Sequence, residues 1–395
     1  MKKTFLVSII SLFTLLSCND NSQSLKSVVD NALEFSEKQY LLMAENYAKT
    51  DSILPKTYEN GKDISSDSRW WCSGFFPGSL WYLYENTKDP KMLEYAKLFT
   101  DRVEREKYTT NNHDVGFMLY CSFGNGLRLT GNEHYKEVLL TGARSLATRY
   151  KENVGLIRSW DFFRDKWQYP VIIDNMMNLE LILWAADYSG DAQLKKIAIS
   201  HADKTLEHHF RPDHSSFHVV SYDTITGLPH LKQTHQGFSA ESAWSRGQSW
   251  GLYGYTYMYR ETKDEKYLEM AKNIANYMIH HPRMPKDYIP YWDFDAPEIP
   301  NTSRDASAAT IMASALIELS DFVDEKLAKE YMDVVETQIR TLASPEYTAN
   351  LGENGCFILK NSVGAYLFKS EVDVPLTYAD YYYLEALTRL KKKLG

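Results

Sequence analysis

Apolar residues recur at helical spacing along almost the whole chain, and the runs come in pairs. In each pair an aromatic-rich run ends in a small polar turn and a second, amphipathic run follows. Five copies are visible: Tyr84-Glu85-Asn86-Thr87-Lys88-Asp89, Leu129-Thr130-Gly131-Asn132, Tyr188-Ser189-Gly190-Asp191, Arg260-Glu261-Thr262-Lys263-Asp264 and Leu319-Ser320-Asp321. Each reads as an α-hairpin. Turn anchors near 87, 131, 190, 262 and 321 are 44 to 72 residues apart, so the length beyond two helices must form loops at one end. Loops on a rigid scaffold are where sites usually lie. Helical runs from about Ser24 to Lys49 and from about Tyr378 to Lys393 flank the five hairpins, which predicts six pairs, or twelve helices. That number of alternating pairs suits an all-α, closed double ring, although periodicity alone does not separate a ring from an open solenoid. Short strand-like patches, Phe217 to Tyr222 and Phe357 to Leu359, are expected at the periphery. No linker rich in Pro, Gly or Ser divides the chain, so residues 18–395 are expected to form one domain.

The 395 residues are 44% hydrophobic and 24% charged, which gives ample core and excludes extensive disorder. Met1-Lys2-Lys3, an apolar run from Thr4 to Leu16 and then Ser17-Cys18-Asn19 have the three regions of a secretory signal over residues 1–17. The run is too short to span a membrane. Leu15-Leu16-Ser17-Cys18 resembles a bacterial lipobox, which makes Cys18 the expected lipidation site and the cell envelope, periplasm-facing, the expected location. Loss of residues 1–17 removes two lysines and no acids, so the charge moves from 44 − 52 = −8 to 42 − 52 = −10. Nucleic acid is therefore an improbable partner, and the only membrane contact expected is the lipid anchor. Cys72, Cys121 and Cys356 have neither even number nor metal-ligand spacing and read as scattered buried thiols.

Aromatic residues are abundant, with 28 Tyr, 17 Phe and 9 Trp, and many stand beside Asp, His and Arg. Trp and Tyr faces stack on sugar rings while polar neighbours bond hydroxyls, although ordinary packing must account for most of them. Asp114, in His113-Asp114-Val115-Gly116-Phe117, and Asp174, in Ile173-Asp174-Asn175-Met176-Met177-Asn178, each head an apolar helical run. A carboxyl among such neighbours loses solvation and gains affinity for its proton. An Asp at a helix start also serves as an N-cap with no chemistry attached. The densest chemical segment runs from Gln233-Thr234-His235-Gln236 to Gly251 and contains Ser242-Ala243-Trp244-Ser245-Arg246-Gly247-Gln248-Ser249-Trp250, where Arg246 offers a planar donor fork between two tryptophans. His218 and Gln236 lie upstream of Arg246. Core tryptophans and a surface ion pair would explain that segment equally well.

These three segments, in this order and spacing, resemble the motifs of the unsaturated glucuronyl hydrolases of glycoside hydrolase family 88, and the resemblance spans about residues 65 to 385. It implies an (α/α)6 barrel, and so supplies the closure that periodicity leaves open. It implies substrates made by polysaccharide lyases, with a 4,5-unsaturated uronic acid at the non-reducing end. The reaction it implies is hydration: C4 of the enol ether is protonated, water adds at C5, and the resulting hemiketal rearranges and expels the neighbouring sugar. By the resemblance Asp174 is the acid/base and Asp114 the second acid, and His218, Gln236, Trp244 and Arg246 line the uronate subsite. Trp160 and either Trp70 or Trp71, with Trp71 preferred, are expected as stacking walls. Arg246 is a natural partner for the substrate carboxylate, and Lys360 in a C-terminal loop is a candidate for the reducing-side sugar. No metal or other cofactor is expected, because the chemistry uses protons and the histidines lack a ligand pattern.

Without the resemblance the two aspartates also suit an ordinary two-carboxylate glycosidase. The related unsaturated rhamnogalacturonyl hydrolases share the double ring, and Gln248 sides with the glucuronyl group. A glycan-binding lipoprotein that cleaves nothing is a further alternative, disfavoured by the desolvated acid pair. Chondroitin, hyaluronan and heparin fragments all remain open as substrates.

Overall fold

The computed structural model describes residues 23–395, so the leader and Cys18 lie outside the described residues. Twelve helices are found among these residues. They are α1 Leu25–Ala48, α2 Phe75–Thr87, α3 Pro90–Asp101, α4, α5 Glu133–Ala147, α6 Asn175–Ser189, α7 Ala192–His208, α8 Ser245–Thr262, α9 Glu265–His280, α10 Ala306–Leu319, α11 Glu325–Leu342 and α12 Thr377–Leu394. Helix α4 is continuous but irregular: Val115–Leu119 runs into a π turn, Tyr120–Gly124, and then into Asn125–Thr130.

The even-numbered helices are apolar nearly all round, the mark of core helices, and each packs on the next, with α12 returning to α2. The odd-numbered helices bury one stripe. Helix α11, for example, buries Tyr331, Val334, Val335, Gln338, Ile339 and Leu342, the three-and-four spacing of one helical face. An inner ring of six helices inside an outer ring of six is the (α/α)6 barrel, with α1 closing the outer ring between α11 and α3.

Each tight turn joins an inner helix to the next outer one, and all five fall at the expected anchors. Four share one device: a residue in the left-handed region ends the inner helix, and the next residue caps the outer one. Lys88 at φ 59° precedes Asp89, Gly131 at 66° precedes Asn132, Gly190 at 70° precedes Asp191, and Lys263 at 56° precedes Asp264. These Asx side chains, and Asp324 in the fifth turn, accept backbone N–H bonds from the helices they head.

The long connections all run the other way, from an outer helix to the head of an inner one, so they gather at one mouth of the barrel. They carry the strands, all antiparallel: β1 Leu54–Glu59 with β2 Lys62–Ser66, β3 Tyr150–Lys151 with β4 Leu156–Ile157, the sheet β5 Pro170–Ile172, β6 Val219–Tyr222 and β7 Pro229–Gln233, and the hairpin β8 Ser362–Ala365 with β9 Ser370–Val374. The first strand-like patch is β6. The second, Phe357 to Leu359, makes only an isolated bridge, Leu359 with Thr348, and the N–H groups of Ile358 and Leu359 donate to the buried Asp380 carboxylate at 2.9 Å. Nor are the strands peripheral to the chemistry, as β5, β6 and β8 frame the mouth where the candidate residues meet. Cys72, Cys121 and Cys356 are free and buried.

Candidate active site

The heads of the inner helices converge on a cleft of about 350 Å³. Asp114 heads α4 and Asp174 heads α6, and neither side chain caps its helix. The two helices are held together by the residues that follow the acids. A side chain at Gly116 would put its Cβ 2.6 Å from the Cα of Asn178, and the Phe117 N–H donates to Asn178 Oδ1 at 2.9 Å. The motif therefore fixes the relative position of two carboxyls that make no cap themselves.

Both carboxyls hold protons unusually well. Burial pushes Asp114 up to about 8, with the charge of Asp174 adding to the effect and Arg149 opposing it. Burial pushes Asp174 up to about 7, against the pull of Arg246, backbone hydrogen bonding and the nearby Trp250. Asp174 Oδ2 has no hydrogen-bond partner, and the indole N–H of Trp250, although close, makes no bond of normal geometry. A pair in this state keeps at least one proton at neutral pH.

His218 is placed beside Asp174 by the sheet. Ile172 pairs with Val219, the Ile173 N–H donates to the His218 carbonyl at 3.1 Å, and the His218 ring then faces Asp174. The backbone N–H groups of His235 and Gln236 donate to His218 Nδ1 at 3.0 and 3.1 Å, so the ring proton must sit on Nε2. That nitrogen is 3.6 Å from Asp174 Oδ2 and has no partner of its own. Burial, with the neighbouring positive groups, holds the His218 pKa well below its ordinary value, so it is a neutral donor aimed at the acid. Gln248, buried in α8, accepts from the Ser216 N–H at 2.6 Å and donates to the His214 carbonyl at 3.2 Å, fixing the loop that delivers His218.

Arg246 lines the cleft, but its fork is largely occupied. Nη1 bonds Asp305 Oδ2 at 3.3 Å and the Val363 carbonyl, and Nη2 donates to the Gly364 carbonyl at 2.7 Å. Its planar head lies over the rings of Trp244 and Tyr378, at 4.5 and 5.1 Å. The geometry makes Arg246 a clamp on β8, with Nε the one nitrogen without a partner. Gln236 also donates to the Gly364 carbonyl, at 3.3 Å, and lines the cleft. Trp244 is buried beneath Arg246 and against His218, so it supports the wall and does not form it. Trp160, stacked on Phe162 at 4.8 Å, forms one wall, and both Trp70 and Trp71 border the cleft. Lys360 is spent elsewhere: its ammonium donates to the Pro345 carbonyl at 2.7 Å.

Three residues beyond those expected complete the site. Asp305 caps α10 through Ser307, accepts from the Val363 N–H at 3.2 Å and pairs with Arg246. Tyr378, at the head of α12, faces the cleft with a hydroxyl that has no partner. His235 packs its ring 5.2 Å from Trp160. Asp305 and Tyr378 carry the signal already read at Asp114 and Asp174, a polar or aromatic residue at an inner helix head; His235 falls within the dense polar segment that starts at Gln233, beside Gln236.

Residues 47–391 match the model of Glycosyl Hydrolase Family 88. An unsaturated glucuronyl hydrolase of Formosa agariphila is 46% identical over 351 residues, covering 89% of this chain and 86% of that protein. An unsaturated chondroitin disaccharide hydrolase of Streptococcus pneumoniae is 34% identical over 355 residues, covering 88% of each. Among solved structures, an unsaturated glucuronyl hydrolase specific for heparin superposes with a TM-score of 0.91 at 46% identity, over 93% of this chain and 98% of that one. With its buried acid pair at the mouth of an (α/α)6 barrel, the chain belongs to glycosyl hydrolase family 88.

Proposed function

We propose that the enzyme removes a 4,5-unsaturated uronic acid from the non-reducing end of lyase-made glycosaminoglycan oligosaccharides, with heparin-type fragments the preferred substrates. The observation that carries the chemistry is the pair of buried, uncapped carboxyls, both pushed toward neutrality, at adjoining helix heads. Protonating carbon needs a neutral acid close to C4, and burial supplies one. The uronate brings a further negative charge, which raises Asp174 again as substrate binds. Asp174 gives its proton to C4, positive charge develops at C5, and the resulting carboxylate takes a proton from the water that adds there. The hemiketal then opens and releases the neighbouring sugar. His218 Nε2–H, neutral and unpartnered, is the donor for substrate oxygen beside Asp174, and Asp114 binds ring hydroxyls. Trp160 and Trp71 stack against the sugar faces, and Arg246 acts by holding β8 in place and through its charge.

The preference for heparin-type fragments rests on the 46% identity to a structure described as specific for heparin. The test is loss of ultraviolet absorbance on incubation with unsaturated heparin, chondroitin and hyaluronan disaccharides, since the conjugated enol ether absorbs and its hydrated product does not. Fastest loss on the heparin disaccharide is the expected result. Loss only on another disaccharide overturns the preference, and no loss on any overturns the reaction. The same reading has the enzyme exported and anchored through Cys18; a chain that takes up no fatty-acid label in a bacterial host would end that part of it.

A further inference from the structure

The barrel has a second cavity, of about 480 Å³, at its other mouth. It lies among the C-terminal halves of the inner helices and shares no lining residue with the acid cleft. Glu180 and Trp184 stand six and ten residues beyond Asp174 on α6, about 9 and 15 Å along its axis. The π turn of α4 brings Tyr120 to the rim, and such turns in an α-helix often mark functional sites.

The charges around this cavity are already matched. Arg260 pairs with Glu180, Glu261 and Glu318 at 3.0, 2.7 and 2.7 Å, and Arg389 pairs with Glu318 and Glu385 at 2.9 and 3.4 Å. Arg128 and Lys392 both meet Glu85, at 2.6 and 2.7 Å. An ionic ligand would find no uncompensated partner here and would lose its hydration. Neutral hydrogen-bonding capacity is left over, however. Glu180 bonds through Oε1 alone, the Tyr120 hydroxyl bonds nothing among the described residues, and Arg128 keeps Nη1 free. Trp184 stacks one face on Tyr188, with ring centroids 5.3 Å apart and planes within 6°, and itself lines the cavity.

An aromatic face beside an acceptor, a hydroxyl and a guanidinium, in a space of this volume whose charged groups are all paired, is the chemistry of a sugar subsite. We propose that this cavity binds an uncharged pyranose, stacked on Trp184 and hydrogen-bonded to Glu180, Tyr120 and Arg128. Titration calorimetry with N-acetylglucosamine and glucose on the chain from Asn19 onward tests it, with glucuronate as the charged control. Saturable binding of a neutral sugar is expected, equal in wild type and Asp174→Asn, with glucuronate excluded. Trp184→Leu should weaken it by roughly tenfold or more, the scale of one lost stacking contact. Tyr120→Phe, which removes a hydroxyl bonded to nothing in the protein, should weaken it a few-fold. Hydrolysis of the unsaturated disaccharide should stay unchanged in both variants. Absence of saturable binding, or binding that survives Trp184→Leu and is displaced by the unsaturated disaccharide in Asp174→Asn, would overturn the proposal; the second result would place the neutral sugar in the acid cleft, and neither counts against the hydrolytic reading.

Discussion

The two mouths of the barrel use the same residue in the same local position for opposite ends. At the turn mouth Asp89, Asp191, Asp264 and Asp324 head outer helices, and each accepts a backbone N–H from the helix it starts. At the loop mouth Asp114 and Asp174 head inner helices and accept none. A capping Asp has donors for its charged form: Asp264 is held below the usual range by Lys266, through its side chain first and then through its N–H. An uncapped, buried Asp lacks them and keeps its proton. Giving up a cap forgoes about 1 kcal/mol of helix stability per site. The proposed chemistry requires a protonated acid; burial leaves one available, and the missing cap withholds the donors that would oppose it.

The largest effect should come from Asp174→Asn. General acid–base catalysis contributes roughly 10² to 10⁴ in rate, so kcat on an unsaturated disaccharide should fall by at least the lower figure. Stability should move the other way. The folded Asp174 keeps its proton up to about 7, whereas its ordinary value is 3.8. Between those values the unfolded chain binds fewer protons at this position, so the Asp174 contribution to stability falls as pH rises from about 4 to about 7 and is level on either side. The penalty at neutrality is on the order of 4 kcal/mol at most. Asn carries no such penalty, so the variant's Tm should exceed wild type at pH 7.5 and match it at pH 4. A drop in Tm with kcat preserved would make Asp174 a structural residue like those at the turn mouth.

Asp114→Asn should cost less, roughly ten- to a hundredfold in kcat/KM, the scale of charge-assisted hydrogen bonds lost to substrate hydroxyls. Its sharper signature is the pH profile. The acid works protonated, so activity declines as pH rises through the Asp174 pKa. Asp174, at about 7, ionises first, and its charge then holds the Asp114 proton up to about 8. Asp114 is therefore neutral while Asp174 titrates, and the alkaline limb of kcat should stay in place in Asp114→Asn. A limb that moved to lower pH would mean that Asp114 ionises first and Asp174 second.

Much of this arrangement was legible in the chain. The hairpin repeat, the turn anchors and the count of twelve helices follow from periodicity, because a capped turn has a local signature and an inner helix is apolar all round. The acids and the Arg246 segment stood out because polar groups interrupt apolar runs there. Sequence did not distinguish a capping Asp from a chemical one, since both read as Asp before an apolar run and the difference lies in whether the side chain turns back to its own helix. Nor did it show that Arg246 is engaged by carbonyls of residues 363 and 364, more than a hundred positions away. The same distance hid what Asp305 holds, since its partners Arg246 and Val363 come from the head of α8 and from β8, and it misplaced Phe357 to Leu359, where a carboxylate from α12 takes two of the N–H groups.

Asp305 does both jobs, capping its helix through one oxygen and holding Arg246 through the other. It therefore sharpens the contrast between the mouths. Asp305→Asn keeps an acceptor for the Ser307 N–H and removes the charge that meets Arg246. Loosening Arg246 frees β8, which carries Gly364 and Ala365 to the cleft wall, so KM should rise by roughly tenfold with a smaller change in kcat. A fall in kcat alone would place Asp305 in the proton chemistry instead.

The smallest effect tests the other mouth. Asp191 accepts from the N–H groups of Gln193 and Leu194 at 2.9 and 3.2 Å and has no part in either cavity. Asp191→Ala leaves those two donors to water and should lower unfolding stability by about 1 kcal/mol, read as a lower denaturant midpoint at unchanged slope. The kinetic constants and the pH profile should be those of wild type, because α7 lies in the outer ring and Asp191 lies at the mouth away from the acids. Asp174→Asn is expected to raise stability at neutral pH while it removes activity, and Asp191→Ala to lower stability while it leaves activity alone. Opposite signs from one residue type at one helix position would locate the difference in the cap bond together with the burial that accompanies its absence.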